Sequence, residues 1–187
     1  MKGRRLFFAL WPTEALRERI RSDTRPITEP IGARTLPAAN LHITIEFLGE
    51  VPDARLDEVL QAGAATHGNA FDLILDRIES FRRSGVLSLV PSQPPSALNE
   101  LVDQLRFNLL DRQFRVQHQN FRPHVTLVRD LRRPVPAATI APLTWRVEEF
   151  ALVESQLGRE GSRYSVLASW PLTPARATPD RPDTQET

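Results

Sequence analysis

Residues 41–50 read Leu-His-Ile-Thr-Ile-Glu-Phe-Leu-Gly-Glu, and residues 121–130 read Phe-Arg-Pro-His-Val-Thr-Leu-Val-Arg-Asp. Each holds a histidine, a β-branched residue, a threonine and an aliphatic residue in succession. The histidines, His42 and His124, lie 82 residues apart (124 minus 42). A repeat that long points to duplicated halves and not to a solenoid. Both stretches alternate like half-buried strands, so His42 and Thr44 share one face and Leu41, Ile43, Ile45 and Phe47 the other. In the second copy His124 and Thr126 oppose Val125 and Leu127. At a rise of about 3.3 Å per residue, each His–Thr pair is spaced roughly 6.6 Å along its strand. If the two strands converge, two imidazoles and two hydroxyls meet at one point.

The surrounding chain supplies elements of both kinds. Residues 4–11 form an aromatic-rich strand stopped by Pro12. Thr13 caps a helix over 14–24, with Ala15, Leu16 and Ile20 on one side. Residues 25–40, with three prolines and a glycine, form a loop. The first motif strand covers 41–48 and ends at Gly49. Asp53 precedes a second helix carrying Leu56, Val59 and Leu60. Strands follow at 71–81 and 85–91. A third helix over 96–110 places Leu98, Leu101, Val102, Leu105 and Leu109 at helical spacing. After the second motif strand come strands at 144–157 and 162–170, joined around Gly158 and Gly161. Strands occurring singly and in adjacent pairs indicate an α+β protein with largely antiparallel sheets and helices outside. No Gly-rich phosphate loop follows any strand. Residues 1–172 are expected to form a single domain. Residues 173–187, rich in Pro, Thr and charge, are expected to be a disordered tail.

Bulk properties narrow the chemistry. The chain has 187 residues and a net charge of +1, so no overall field draws it to nucleic acid or anionic lipid, and anion binding must be local. It has no cysteine, which removes disulfides, thiolate metal sites and Cys nucleophiles. The apolar run near the start is too short to span a bilayer and lacks a signal-peptide pattern, so a cytoplasmic location and a monomer are the default expectations. Lys2 is the single lysine, and the other basic residues are arginines. Arginine suits bidentate phosphate contacts, although coding bias explains the usage as well.

Imidazole has a pKa near 6.5, so of two histidines one can be neutral and the other protonated at working pH, a general base beside a general acid. Threonine hydroxyls donate to an anion. No acidic cluster offers hard-cation ligands. The set fits metal-free attack on a phosphodiester, with no cofactor. One histidine takes a proton from water, the other protonates the leaving oxygen, and the threonines hold the non-bridging oxygens. A single His-x-Thr on a strand is a weak signal, and its duplication carries the reading. A zinc site on His42 and His124 stays open but needs a third ligand. His67 and His118 lie in polar stretches and read as solvated.

The two motifs resemble the signatures of the two-histidine (2H) phosphoesterases, and more narrowly the bacterial and archaeal RNA 2′,3′-cyclic phosphodiesterases once described as 2′-5′ RNA ligases. The opening RLFFAL, the FLGEV after the first motif, Arg129 after the second and the closing EFALVESQL and RYSVLASWPL share the resemblance. It implies two pseudo-symmetric lobes, each an antiparallel sheet with flanking helices, around a V-shaped cleft. It implies His42 as proton donor, His124 as proton acceptor, and Thr44 and Thr126 as phosphate-holding residues. Substrates would be RNA ends or small cyclic nucleotides opened to a 2′-phosphate. Related alternatives are 2′-5′ ligation and 2′-5′ oligonucleotide cleavage, and a different class is a non-catalytic RNA- or nucleotide-binding module. Among softer candidates, strict alternation puts Arg129 on the face opposite Thr126, unless the strand twists it toward the cleft. Arg122 is in phase with His124 and within reach of an RNA phosphate. Phe7 and Phe47 can stack a base or pack in the core. Glu46, in phase with His42, reads as a solvated rim residue.

Overall fold

The computed structural model describes residues 3–117, 120–158 and 161–174. Nine strands form one antiparallel sheet: β1 (Gly3–Leu10), β2 (Arg34–Thr35), β3 (Ile43–Pro52), β4 (Phe71–Phe81), β5 (Val86–Val90), β6 (Val125–Arg129), β7 (Ala138–Val147), β8 (Glu149–Gly158) and β9 (Gly161–Pro171). Their order across the sheet is β7-β4-β5-β6-β3-β1-β8-β9, with β2 added on β6. The two motif strands, β3 and β6, are side by side at the centre, yet a single residue pair joins them, Ile43 with Val125. That narrow seam divides the sheet into a four-stranded β3 lobe and a β6 lobe of four strands with the short β2 added.

The lobes interleave in sequence. The units β1–α1–β3 and β5–α3–β6 repeat one plan, a strand, a helix (α1, Glu14–Thr28; α3, Ser96–Asp111) and an antiparallel motif strand. Each lobe is completed by a pair from elsewhere in the chain: β8 and β9 complete the β3 lobe, and β4 and β7 the β6 lobe. The stretch 144–157 is therefore two strands broken at Glu148, which carries the chain from one lobe to the other.

Local chemistry accounts for most element ends. Thr13 caps α1, its Oγ1 accepting from the Leu16 amide at 3.3 Å. The helix runs on through Pro26 to Thr28, four residues past the sequence expectation. Proline removes one backbone donor, but here it stands in the last turn, and the buried stripe Ile20, Thr24 and Thr28 continues past it. A short 3-10 turn at Glu29–Ile31, β2 and a second 3-10 turn at Ala38–Asn40 occupy what the sequence marks as loop. On α3, all five predicted apolar residues are buried. The remaining helix, α2 (Leu56–Ala64), buries Gly63 under the Trp170 ring, where a Cβ would collide. Gly49, at φ +72°, does not end β3. It forms a bulge opposite Leu6, and the strand continues to Pro52.

One main core spans both lobes and all three helices, with Phe8, Phe150, Ile43 and Val125 among its buried members. The run Leu6–Leu10 is buried on both faces of its strand. Leu6, Phe8 and Leu10 enter this core, while Phe7 and Ala9 join a smaller cluster on the cleft side with Ala151 and Val153. The chain is anchored through Thr173, whose carbonyl accepts from the Ala70 amide at 2.7 Å, and Leu172 is buried. Residues 175–187 lie outside the described residues. Among the described residues, no helix is long and apolar enough to cross a membrane.

Candidate active site

The seam between β3 and β6 falls one residue after each histidine. Because the strands are antiparallel, the Ile43–Val125 pair puts His42 on the Thr126 side of the seam and Thr44 on the His124 side. Ile43 and Val125 point into the core, so the four motif side chains rise from the opposite face.

The two imidazoles are held alike. His42 Nδ1 lies 2.7 Å from the Asn40 carbonyl, and His124 Nδ1 lies 2.8 Å from the Arg122 carbonyl, each two residues back. A carbonyl only accepts, so each Nδ1 carries the hydrogen and each neutral ring keeps its lone pair on Nε2. His42 Nε2 sits 3.2 Å from Thr44 Oγ1 and accepts from it while neutral. Aromatic contacts fix the rings further. Trp11 stacks on His42 at 5.3 Å between centroids, Phe7 lies tilted at 5.0 Å, and Tyr164 meets it edge-on at 5.2 Å. Among the described residues, His124 has one such neighbour, Phe81, edge-on at 5.0 Å.

Burial in this setting opposes charge. It lowers the His42 pKa to about 4, with smaller contributions from the Arg129 and His124 charges and an opposing one from the Asn40 bond. His124 is lowered too, mainly by burial, with Arg122 and Arg129 adding to the effect against the Arg122 carbonyl bond. Both shifts favour the neutral ring.

Each motif strand carries a bulge directly after its threonine. Phe8 pairs with Glu46 and Ala9 with Thr44, which skips Ile45; Leu87 pairs with Val128 and Ser88 with Thr126, which skips Leu127. Two successive residues then point inward, Ile45 with Glu46 and Leu127 with Val128. The next residue returns to the cleft face, which places Phe47 and Arg129 at matching positions. Strict alternation fails here for Arg129, which lines the same cavity as His42 and Thr44. It fails for Glu46 as well. That carboxylate is not a solvated rim residue but fully buried, accepting from Arg106 Nε and the Gln117 amide, both at 2.7 Å. It ties β3 to α3 and to the segment leading toward the second motif.

The softer candidates divide. Phe7 is 3% exposed and packed against His42, so it forms the wall behind that ring and is not a platform for a base. Phe47 is half-buried and lines both the His42 cavity and the adjoining cavity around His124, with the Arg5 guanidinium 4.9 Å over its ring. Arg122 lines the second cavity but is committed to Glu79 at 3.0 Å and to the Phe81 face. Thr126 is half-buried across from Ser88. Sequence reading missed Trp11, Tyr164, Asn40, Arg5 and Arg34. Trp11 was detectable as the continuation of the Phe7 and Ala9 face of β1; the others gave no signal. His67 is exposed, and His118 lies outside the described residues. Among the described residues, no group of three His, Asp or Glu side chains is placed to hold a metal ion, so the zinc alternative has no third ligand there.

A family model, the 2′-5′ RNA ligase superfamily, matches residues 12–159. The RNA 2′,3′-cyclic phosphodiesterase of Escherichia coli (strain K12) is 34% identical over 173 residues, covering 90% of this chain and 97% of its own. That of Thermus thermophilus is 30% identical over 181 residues, 90% of each chain. The crystal structure of E. coli LigT complexed with 3′-AMP superposes with a TM-score of 0.84 at 32% identity, over 92% of this chain and 99% of that one.

Proposed function

The chain belongs to the 2′-5′ RNA ligase superfamily, and we propose that it is an RNA 2′,3′-cyclic phosphodiesterase that opens the cyclic end to a 2′-phosphate. The observation that carries this reading is the matched pair of imidazoles, each locked through Nδ1 to a backbone carbonyl and each offering Nε2 to one cleft. In the reaction, His124 Nε2 removes a proton from water as its oxygen bonds to phosphorus. The bond from phosphorus to the 3′ oxygen breaks, and His42 Nε2 protonates that oxygen. Thr44, Thr126 and Arg129 hold the non-bridging oxygens as charge builds on them. A neutral His124 is ready to act as base. A neutral His42 is not yet an acid, because burial keeps its proton off. The bound phosphodiester supplies the missing counter-charge, so His42 takes up its proton as the substrate anion enters. With a 5′-hydroxyl in place of water as the nucleophile, the same pair would join a 2′-5′ linkage, and the reverse of that step would cleave one.

We take the protein to work as a monomer in the cytoplasm, on RNA ends. The test is turnover of an oligoribonucleotide ending in a 2′,3′-cyclic phosphate, with the product identified. A 2′-phosphate is expected, from wild type with or without EDTA. His42→Ala and His124→Ala are each expected to lower kcat by about 10²–10⁴ while circular dichroism stays unchanged. Undiminished activity in the double variant would refute the two-histidine mechanism. Binding without turnover would favour the recognition-module alternative.

A further inference from the structure

We infer that Arg34 forms a second phosphate subsite, for the phosphodiester on the 5′ side of the terminal nucleotide, so that the enzyme selects RNA ends over free cyclic nucleosides; the inference rests on the phosphodiesterase reading above. The cavity that holds His42 and Thr44 has a volume of about 340 Å³ and is lined by three arginines, Arg5, Arg34 and Arg129, and by no acidic residue among those described. A cyclic phosphate carries one negative charge. Arg129 lines this cavity with His42 and Thr44, and its charge is felt by both imidazoles, which assigns it to that anion. Arg5 is laid over Phe47. Arg34 is surplus to the chemistry.

Three features show that Arg34 is placed to meet an anion. It sits directly opposite Arg129 in the β2–β6 pairing. Like charges in that position are unfavourable until an anion stands between or beside them. Among the described residues, no ion pair involves Arg34. Its guanidinium lies against Gly161, whose φ of +119° favours glycine, so no side chain stands between the guanidinium and the β9 backbone there. The other end of the cleft is different. Arg106 and Arg122 line the cavity around His124, but Glu46 and Glu79 neutralise them at 2.7 and 3.0 Å. Unspent positive charge is therefore concentrated on the His42 side. From there a groove continues past Asn40, Ser162, Gln156 and Arg163, again with no acidic lining residue among those described. With the 2′ and 3′ oxygens of the terminal ribose at the histidines, the remaining anion of an RNA end is the 5′ phosphate. The strand beyond it follows this groove.

The test compares adenosine 2′,3′-cyclic phosphate with the same compound bearing a 5′-phosphate, and both with a short oligoribonucleotide carrying the cyclic end. Wild type is expected to show a kcat/KM ratio of about tenfold or more in favour of the 5′-phosphorylated compound, the worth of one charge-assisted contact. Arg34→Gln should bring that ratio close to one, and Arg34→Lys should leave it intermediate. On the oligoribonucleotide, the slope of log KM against log salt should become shallower by about 0.7 in Arg34→Gln, one phosphate contact fewer. A wild-type ratio of one, a ratio unchanged in Arg34→Gln, or an equal loss on both mononucleotides would overturn the inference. Inactivity of wild type on all three compounds would instead refute the phosphodiesterase reading itself.

Discussion

Replacing His42 with phenylalanine is expected to make the protein more resistant to acid while abolishing catalysis. His42 is enclosed by Trp11, Phe7 and Tyr164, and burial lowers its pKa to about 4 from 6.5. In the unfolded chain the ring takes up a proton as pH falls through 6.5; in the folded protein it resists until about pH 4. Between those values the unfolded state binds more protons, so folding stability present above pH 6.5 is lost as the pH falls. At ~1.4 kcal/mol per pH unit the full loss is about 3 kcal/mol, an upper figure because the edge of the ring is open to the cleft. Against a total stability of about 5–15 kcal/mol, that is a large share. Phenylalanine keeps the ring stacking and does not titrate. His124 is present in both proteins, and its own acid sensitivity cancels in the comparison. Urea unfolding of wild type and His42→Phe at about pH 7, 5.5 and 4.5 measures the effect. The difference in unfolding free energy should move in the variant's favour by ~2–3 kcal/mol across this range. Parallel curves, agreeing within about 0.5 kcal/mol at all three pH values, would refute the assignment of His42 as a buried, neutral imidazole.

Two further outcomes follow from the same geometry. Arg129→Met should lower kcat by about 10²–10³ through lost stabilisation of the transition state. Because a like charge is removed, it should also raise both imidazole pKa values and move the kcat/KM bell, expected on the acid side of pH 6.5 in wild type, toward neutral pH. Glu46→Ala leaves the Arg106 guanidinium, the Gln117 amide and the link between β3 and α3 without their carboxylate. A loss of about 3–5 kcal/mol is expected, seen as a fall in Tm of roughly 6–20 °C with the catalytic residues untouched.

Much of the site was legible because its signal is local and repeated. A histidine and a threonine two apart on a strand share a face whatever the strand pairs with, and the second copy 82 residues later made coincidence a poor account. The predicted 71–81 strand and the third helix match β4 and the buried face of α3 for the same reason: their apolar spacing alone satisfies the backbone and the core. Position 46 shows the limit. Nothing in Ile-Thr-Ile-Glu-Phe marks a bulge, because the skipped residue is defined by the partner strand. Only the pairing of Phe8 with Glu46 and Ala9 with Thr44 turns the carboxylate inward and Phe47 outward. The same event on β6 decides the side on which Arg129 emerges.

By itself, the sequence determined which residues are the candidates for the chemistry and that they come as two matched strand motifs, since side-chain alternation and residue identity are properties of the chain. Tertiary structure alone decided how they meet. The joining of β3 to β6 at one residue pair, the exchange of strands between lobes at Glu148, and the cage closed on His42 by Trp11 from the end of β1 and Tyr164 from β9 all depend on contacts between segments far apart in sequence. So does the state of the two motif rings: an imidazole's pKa is set by the burial and charge around it, and both exist only once the lobes have packed.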